Sequence, residues 1–583
     1  MSSVQPVKKT THGGEFLIRA AAPEEVFTPE DFTEEHRAVA RTAEEFYWRE
    51  VAPQLRATQE EPLAALPVLR KAAALGLTGV AVPERYGGTE MDLISALVVA
   101  EQLGRNGSYG VWHSAHSGIA TMPLVLFGTE EQKRKYLPRM VSGELIGAYA
   151  LSEPHAGSDV QAIRTRATLS EDGRHWLLEG QKMWITNAGG AGLFTVFAKV
   201  GGEKFSAFLV EREAEGLSVG AEERKMGIKG SSTCALFLDR VRVPAENLLG
   251  EVGDGLRIAY NCLNLGRLKL GAGVLGAAKH ALALSLRYAS ERRAFGQPIG
   301  NFGLIQQKLG EMAVRIFAAE SMVYRVAGAI ERRLEAVSWE DSEAPRRHLE
   351  AFEEFAAECA LVKVFATEAL DYVADEGVQI HGGYGFHQDY EIEWSYRDSR
   401  INRIFEGTNE INRMLATGML IKRARRGRLA LAAAVKALEG RLLEPQAASD
   451  DPAILAERAR RATLFTLGAA FRRYAAALEA EQEILAALSD MAAEALALES
   501  VALRVQKLPG NEHAAELCRC YAEEAMRRVE GAGRAVIAAS SEGDELRANL
   551  AILRRLAACE PADGFAARRR IARRLLEAER YLV

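Results

Sequence analysis

One carboxylate in this chain stands where proton transfer is chemically plausible. Glu406 lies in Arg403-Ile-Phe-Glu-Gly-Thr-Asn-Glu410, after an apolar pair and before a glycine. A Glu pressed into a dry site has its pKa raised, because burial disfavours the charged form. A raised pKa makes it a better base near neutral pH. Alone, the stretch reads more readily as an exposed helix end.

Four further segments could bind a flat, phosphorylated ligand. In Tyr149-Ala-Leu-Ser-Glu-Pro-His-Ala-Gly-Ser-Asp159, Pro154 and Gly157 enforce a turn, while Ser152, Ser158 and backbone N–H groups offer hydrogen bonds to a ring edge or a phosphate. In Gly180-Gln-Lys-Met-Trp-Ile-Thr-Asn-Ala-Gly189, strand alternation places Trp184 and Thr186 on one face, an aromatic ring beside a hydroxyl. Ser290-Glu-Arg-Arg-Ala-Phe-Gly-Gln-Pro-Ile299 puts an Arg pair before a turn, and the guanidinium fork matches phosphate oxygens. Gln379-Ile-His-Gly-Gly-Tyr-Gly-Phe386 has three glycines in four positions, which permits close backbone approach to a ligand. Each has a plain alternative: a surface turn, a core Trp, a basic helix end and a helix stop.

Other features are set aside. Gly271-Ala-Gly-Val-Leu-Gly276 matches GxGxxG but lies inside a Leu/Ala helical pattern with no strand before it, so it reads as close helix packing. Arg568-Arg-Arg-Ile-Ala-Arg-Arg574 alternates with Leu and Glu and reads as a solvated helix face or a subunit contact. His113 and His116 lack ligand-spaced partners and read as packing residues. No P-loop, zinc motif or Gly-x-Ser-x-Gly elbow occurs.

The elements that must position these groups follow from texture. The 583 residues suggest about four domain-sized units. A net charge of −6 gives no case for nucleic acid as the main partner. Six cysteines without a CxxC pair suit a reducing cytoplasm. Met1-Ser-Ser-Val-Gln-Pro-Val-Lys-Lys9 lacks the apolar core of a secretory signal, and no apolar run is long enough to span a membrane. Residues 1–28 read as a loose arm. Residues 29–145 are helical, with Thr28-Pro29-Glu30-Asp31 as a helix start and apolar residues recurring through Val51. Residues 146–255 carry short β-rich runs separated by turns, a small sandwich or barrel. Residues 256–425 return to long helices, a four-helix bundle, and 428–583 form a helical extension broken near Pro445 and Ser449-Asp-Asp-Pro452. The fold class is α+β with several domains.

In this order the motifs resemble the acyl-CoA dehydrogenase family over residues 30–425. Met226-Gly-Ile-Lys-Gly-Ser231 and Val241-Arg-Val-Pro-Ala-Glu-Asn-Leu-Leu-Gly250 fit it too, and the tail after 428 resembles the longer, very-long-chain-type branch. The resemblance implies a helical N-terminal domain, a β-domain and a helical C-terminal domain, with FAD between the last two. It implies that Tyr149, Leu151 and Ser152 line the isoalloxazine ring, that Trp184, Ile185 and Thr186 flank it with the Thr186 hydroxyl near flavin N5, and that Ser158 reaches the FAD pyrophosphate and the acyl-CoA. Arg292, Phe295, Phe302, Gln379, Ile380, Gly382 and Gly383 would hold the adenosine half of FAD from the neighbouring subunit. Thr408, Asn409 and Glu410 would contact the flavin nucleotide, and Asn264 and Arg267 would sit near the CoA.

Glu406 matches the family's catalytic base, with Gly407 leaving room for the thioester. Some members carry the base instead in an Asp-Leu-Glu-Arg-like helical segment. Here that segment reads Asn264-Leu-Gly-Arg267, and Gly266 cannot abstract a proton. The implied reaction is α,β-dehydrogenation of a fatty acyl-CoA to trans-2-enoyl-CoA, as in β-oxidation, with electrons passing to an electron-transfer flavoprotein. An oxyanion-hole arrangement would stabilise the developing enolate. The resemblance also implies a homo-oligomer, a homodimer in the very-long-chain branch, with a membrane surface less favoured. An acyl-CoA oxidase and a non-catalytic scaffold on the same fold are the alternatives. The acyl tail would enter near residues 108–122, where Gly110, Ser114 and Ala115 suggest a deep pocket for medium to long chains, with long chains the expected preference, and Trp112 is a candidate cap.

Overall fold

The computed structural model describes residues 11–442, 444 and 448–583. Met1–Lys9 and Pro445 lie outside the described residues.

The N-terminal unit is helical but starts later than expected. Thr28 and Pro29 open only a 3-10 turn, Pro29–Asp31, because the Asp31 carboxylate accepts from the Thr28 backbone N–H (2.8 Å). The helix proper, α1 (Glu34–Phe46), is capped by Thr33, whose hydroxyl accepts from His36 N at 3.2 Å. It packs on α2 (Leu93–Leu103), capped by Asp92. A short helix, α3 (Gly107–Ser114), continues as a π-helical turn, Ala115–Ala120. Such π turns recur at functional sites.

The β unit is one eight-stranded sheet: β1 (Gly147–Ala150), β2 (Arg166–Leu169), β3 (His175–Thr186), β4 (Leu193–Val200), β5 (Lys204–Glu211), β6 (Leu217–Glu222), β7 (Thr233–Pro244) and β8 (Leu248–Leu249). The order is β6-β7-β3-β2-β4-β5-β8, with β1 parallel to β4. The sheet is not closed, so the barrel alternative does not apply. Trp176, Phe194, Phe208 and Leu236 lie in its own core.

The four long helices are α4 (Gly255–Glu291), α5 (Gly303–Leu334), α6 (Ala356–His381) and α7 (Asn409–Arg425), with α6 packed against the other three. The extension adds α8 (Pro452–Tyr474), α9 (Gln482–Gln506), α10 (Glu512–Ser540) and α11 (Gly564–Ala578). These helices pack among themselves and onto α5 and α7. Buried charge fastens the seam. Arg504 on α9, 2% exposed at its side chain, reaches Glu320 on α5 at 2.6 Å and Glu30 at 2.9 Å. The basic run on α11 is used the same way: Arg568 pairs with Glu311 at 2.8 Å, and Arg570 and Arg574 pair with Glu516. The run is thus divided: Arg568 is buried against the bundle, while Arg569, Arg570 and Arg573 are exposed.

The described part of the N-terminal arm is also packed down. Phe16 and Leu17 are buried, Gly14 N donates to Glu358 (2.6 Å), and Ala21 N donates to Glu499 of α9 (3.2 Å). The glycines of the GxGxxG segment pack helices, since a Cβ at Gly276 would collide with the Glu101 carbonyl of α2. No helix among the described residues is long and apolar enough to cross a membrane.

Candidate active site

Glu406 sits on a turn between a 3-10 helix, Arg400–Arg403, and α7. Its φ is 56° and that of Gly407 is 81°. A non-glycine residue in this region is strained by roughly 1–2 kcal/mol, so the surroundings must hold it. They do so through three side chains. Arg267 Nε donates to Glu406 O (3.2 Å), and Lys363 Nζ donates to Gly407 O (2.9 Å) and to Asn409 Oδ1 (2.6 Å). Asn412 Nδ2 reaches the carbonyls of Gly407 at 2.7 Å and Thr408 at 3.0 Å. Thr408 then caps α7, accepting from Ile411 N at 3.3 Å.

The carboxylate itself is left uncommitted. Glu406 Oε2 is buried and has no hydrogen-bond partner. Burial pushes its pKa up to about 7, although Arg267 and Lys363 pull it down. Burial also pulls the Lys363 pKa down to about 7, opposed by Glu406. The pair is thus a base and a cation titrating in the same range. Among the described residues, the Glu406 backbone N–H donates to no acceptor.

From Glu406 a channel runs along α4, with about 1150 Å³ of empty space, its open mouth included. Its wall on α4 carries Cys262, Gly266, Leu270, Gly273, Ala277 and His280. Eighteen helical residues separate the ends of that wall, about 27 Å at the rise of an α-helix. The opposite wall is the α3 segment, where Gly104, Gly107, Gly110, Ser114, Ala115 and Gly118 present little or no side chain. Trp112 is not a cap. It is fully buried against Ala65, Leu69 and Ile146, and its Nε1 donates to Gly230 O (2.9 Å). His113 and His116 bond the backbone at Leu77 O (2.8 Å) and Met140 O (3.0 Å).

The two β-unit motifs meet at the mouth. Met183 N donates to Ser152 O (3.0 Å), and buried Lys182 bridges Leu151 O (3.2 Å) and the Glu153 carboxylate (2.8 Å). Glu153 in turn accepts from Arg164 N and from Thr165. The strand bulges between Lys182 and Ile185, with Trp184 at φ 57°. Simple alternation therefore fails here, because a bulge inserts one residue into the pairing. Trp184 is left 61% exposed, Ile185 is buried, and Thr186 lines the channel mouth with Glu406. The hydroxyl of Tyr149 is buried without a partner near Glu406.

Family models match along the chain: acyl-CoA dehydrogenase N-terminal domain at 33–144, middle domain at 148–241, C-terminal domain at 253–420, and a further acyl-CoA dehydrogenase C-terminal domain at 458–555. A probable acyl-CoA dehydrogenase of Bacillus subtilis (strain 168) is 45% identical over 98% of both chains. The chain belongs to the acyl-CoA dehydrogenase family. Its members are oxidoreductases. The very long-chain specific mitochondrial enzyme of Rattus norvegicus is 41% identical over 350 residues, 58% of this chain and 51% of that protein. A crystal structure of the acyl-CoA dehydrogenase from Bacillus anthracis, complexed with FAD, superposes with a TM-score of 0.96 at 44% identity, covering 98% of this chain and all of that one.

The residues of this family member fit a flavin at the mouth. The Tyr149 hydroxyl is buried without a partner, the Trp184 ring is exposed, Thr186 lines the mouth, and Leu151 and Ser152 lie on the loop that Lys182 holds. Ser158 is exposed on the same loop. A second group lies apart from the channel lining. Arg292 stands over the Tyr384 ring (5.4 Å), and Phe295, 95% exposed, is edge-on to Phe302 (6.0 Å). Nothing lies within 4 Å of a Cβ at Gly382 or Gly383, so this backbone is open to a ligand. Gln379 is exposed there and Ile380 is buried.

Three expectations are corrected. The Asn409 side chain is buried in bonds to Lys363, Thr367 and Glu368, so it faces α6 rather than a nucleotide. Thr408 accepts from Ile411 N as the α7 cap, and its side chain also bonds that of exposed Glu410. Asn264 and Arg267 are buried and bonded to each other (3.0 Å) under the Glu406 turn, not displayed for CoA. Lys363, Asn412, Glu153 and Lys182 were not singled out in the sequence. Lys363 carried a readable signal, a lone cation in the apolar run Ala360-Leu-Val-Lys-Val-Phe-Ala366. Glu153 carried none, because it lies in a loop that reads as polar throughout.

Proposed function

We propose that this chain is an FAD-dependent dehydrogenase of fatty acyl-CoA thioesters, forming trans-2-enoyl-CoA in fatty acid β-oxidation. The observation that carries this reading is Glu406 Oε2, buried and unpartnered at the head of an apolar channel. Glu406 removes the α-proton of the thioester. Its raised pKa makes it a competent base near pH 7. The free backbone N–H of Glu406 is the donor for the thioester oxygen as charge develops, of a kind worth about 3–4 kcal/mol. Gly407 keeps that approach open. Tyr149, Leu151, Ser152, Trp184, Ile185 and Thr186 hold the isoalloxazine of FAD, and Ser158 its pyrophosphate. Arg292, Phe295, Phe302, Gln379, Gly382 and Gly383 hold an adenosine from a second copy of the chain. The chemistry FAD supplies when bound is acceptance of the β-hydride.

The channel length and its glycine-lined wall favour long acyl chains. The exposed rings of Phe295 and Phe386 favour a homodimer, in which a second copy covers them. The electron acceptor is an electron-transfer flavoprotein, and the setting is the cytoplasm, which suits six free thiols. The test is anaerobic titration of the FAD-loaded protein with acyl-CoAs of increasing length. Bleaching that strengthens with length is expected. Highest kcat/KM on a four-carbon chain would overturn the long-chain reading, and faster turnover with O₂ than with the flavoprotein would make it an oxidase.

A further inference from the structure

The channel contains one buried cation that the proposed reaction does not use. Lys269 projects from α4 one turn beyond Gly266, the residue against the Glu406 carboxylate. It lines the channel and is 8% exposed. Its ammonium donates to Ser117 Oγ (2.8 Å), and that hydroxyl passes its own hydrogen to His113 O (2.8 Å). An ammonium has three N–H donors, so two remain.

The other buried lysines are differently placed. Lys133 pairs with Glu130 (3.9 Å), Lys182 with Glu153 (2.8 Å), and Lys363 holds the Gly407 carbonyl and the Asn409 amide oxygen. Among the described residues, Lys269 alone of these four has a neutral hydroxyl and nothing else. Burial alone lowers its pKa, to about 8. Near neutral pH it is therefore charged and without a counter-ion, inside a channel whose walls are mostly apolar. Nor is it hemmed in. The facing residue is Gly118, where a Cβ would stand 3.5 Å from Nζ.

We infer that Lys269 is a specificity residue, and that the channel accepts acyl thioesters carrying a carboxylate at the far end of a medium-length chain. This rests on the dehydrogenase reading above. A plain long chain passing Lys269 leaves two donors unpaired, a cost that its apolar burial further along the channel must offset. A chain ending in a carboxylate supplies the missing counter-ion. A site built to pair a substrate oxygen discriminates strongly against the analogue that lacks it. The length follows from position. Glu406 fixes the α-carbon, and Lys269 is rooted about 4.5 Å further along the helix axis than Gly266. The carboxylate thus lies past the shortest chains but well short of His280. At that far end His280 pairs with Glu391 (3.2 Å), and Arg105 pairs with Glu44 (2.7 Å) through one terminal nitrogen while its Nε is buried without a partner.

The test uses the FAD-loaded enzyme, a series of plain acyl-CoAs and a matched series of ω-carboxyacyl-CoAs. Expected is one medium length at which kcat/KM for the carboxylated chain exceeds that for the plain chain at least tenfold. In Lys269→Met that ratio falls at least tenfold, carried by a rise in KM for the carboxylated chain. Ser117→Ala, which removes only the neutral partner, keeps the preference and guards against a folding artefact. A plain chain preferred at every length, or a ratio unchanged in Lys269→Met, overturns the inference while leaving the dehydrogenase reading intact. Failure of both series to bleach the flavin overturns both.

Discussion

A Cβ placed on Gly266 would stand 2.8 Å from Glu406 Oε2. That is closer than two such atoms pack, so the carboxylate and a side chain at 266 contest one volume. Glycine at 266 therefore makes room for the carboxylate at 406. Gly266→Ala is expected to displace the carboxylate and lower kcat/KM by about a hundredfold, the scale of a 1 Å misplacement. Flavin content should be unchanged. Steady-state kinetics beside the flavin absorbance check it, and near-normal turnover would show that the carboxylate is free to move.

Glu406→Gln should keep acyl-CoA binding and lose dehydrogenation. In the parent enzyme the base works only when ionised. Its pKa lies near 7, so kcat/KM should rise as pH increases through about 7. Stability runs the other way. Folding raises this carboxyl above its unfolded value near 4.5, so the folded state holds the proton more tightly. The contribution is favourable below the unfolded pKa and is lost as pH rises through the folded one. Glu406→Gln should thus gain Tm relative to the parent at pH 8 and not at pH 4. A constant difference would show that Glu406 is not buried as an acid.

Lys363 holds the turn and biases its charge. Lys363→Met removes a cation that pulls the Glu406 pKa down. The acid limb of the kcat/KM profile should move to higher pH, and kcat should fall about tenfold or more as the Gly407 carbonyl loses its anchor. A lower kcat with an unmoved profile would reduce Lys363 to a purely mechanical role.

Arg504 ties the extension to the bundle. Burial pushes Glu320 up, yet Lys279 and Arg504 hold its pKa well below the usual carboxylate range. Removing one partner of a buried pair is destabilising by about 3–5 kcal/mol. Arg504→Met should lower Tm markedly at pH 7. The loss should shrink as pH falls through the range where Glu320 takes up a proton, because the stabilisation by a depressed carboxyl disappears there. Thermal unfolding across pH decides it.

The sequence carried the order of helices, sheet and helices, because hydrophobic period and turn residues are local signals. It also singled out the segment of Glu406, which lies at the head of the channel, since the residues around it match a family pattern. What it missed depended on distant partners. Thr28 looks like a cap until Asp31 takes its N–H and Thr33 proves the better start. Trp184 looks like a regular strand residue until the pairing with β7 slips. Asn409 looks free to meet a ligand until Lys363, 46 residues earlier, is folded against it. The arm looks loose until Glu358 and Glu499, hundreds of residues away, accept its backbone N–H groups.

The glycines of the channel wall carry a double duty. At Gly104 an added Cβ would strike the Gly273 carbonyl of α4, and at Gly110 it would press on Gly104 itself. The surface that lines the channel proposed for the acyl chain is thus the same surface on which two helices rest. A mutation that narrows the lumen at these points also pries the helices apart, and selection sees the damage to folding before any change of substrate. Descendants of this protein that came to prefer shorter chains would be expected to do so at Ser114, Ala115 or Ala277, which already carry a side chain into the lumen.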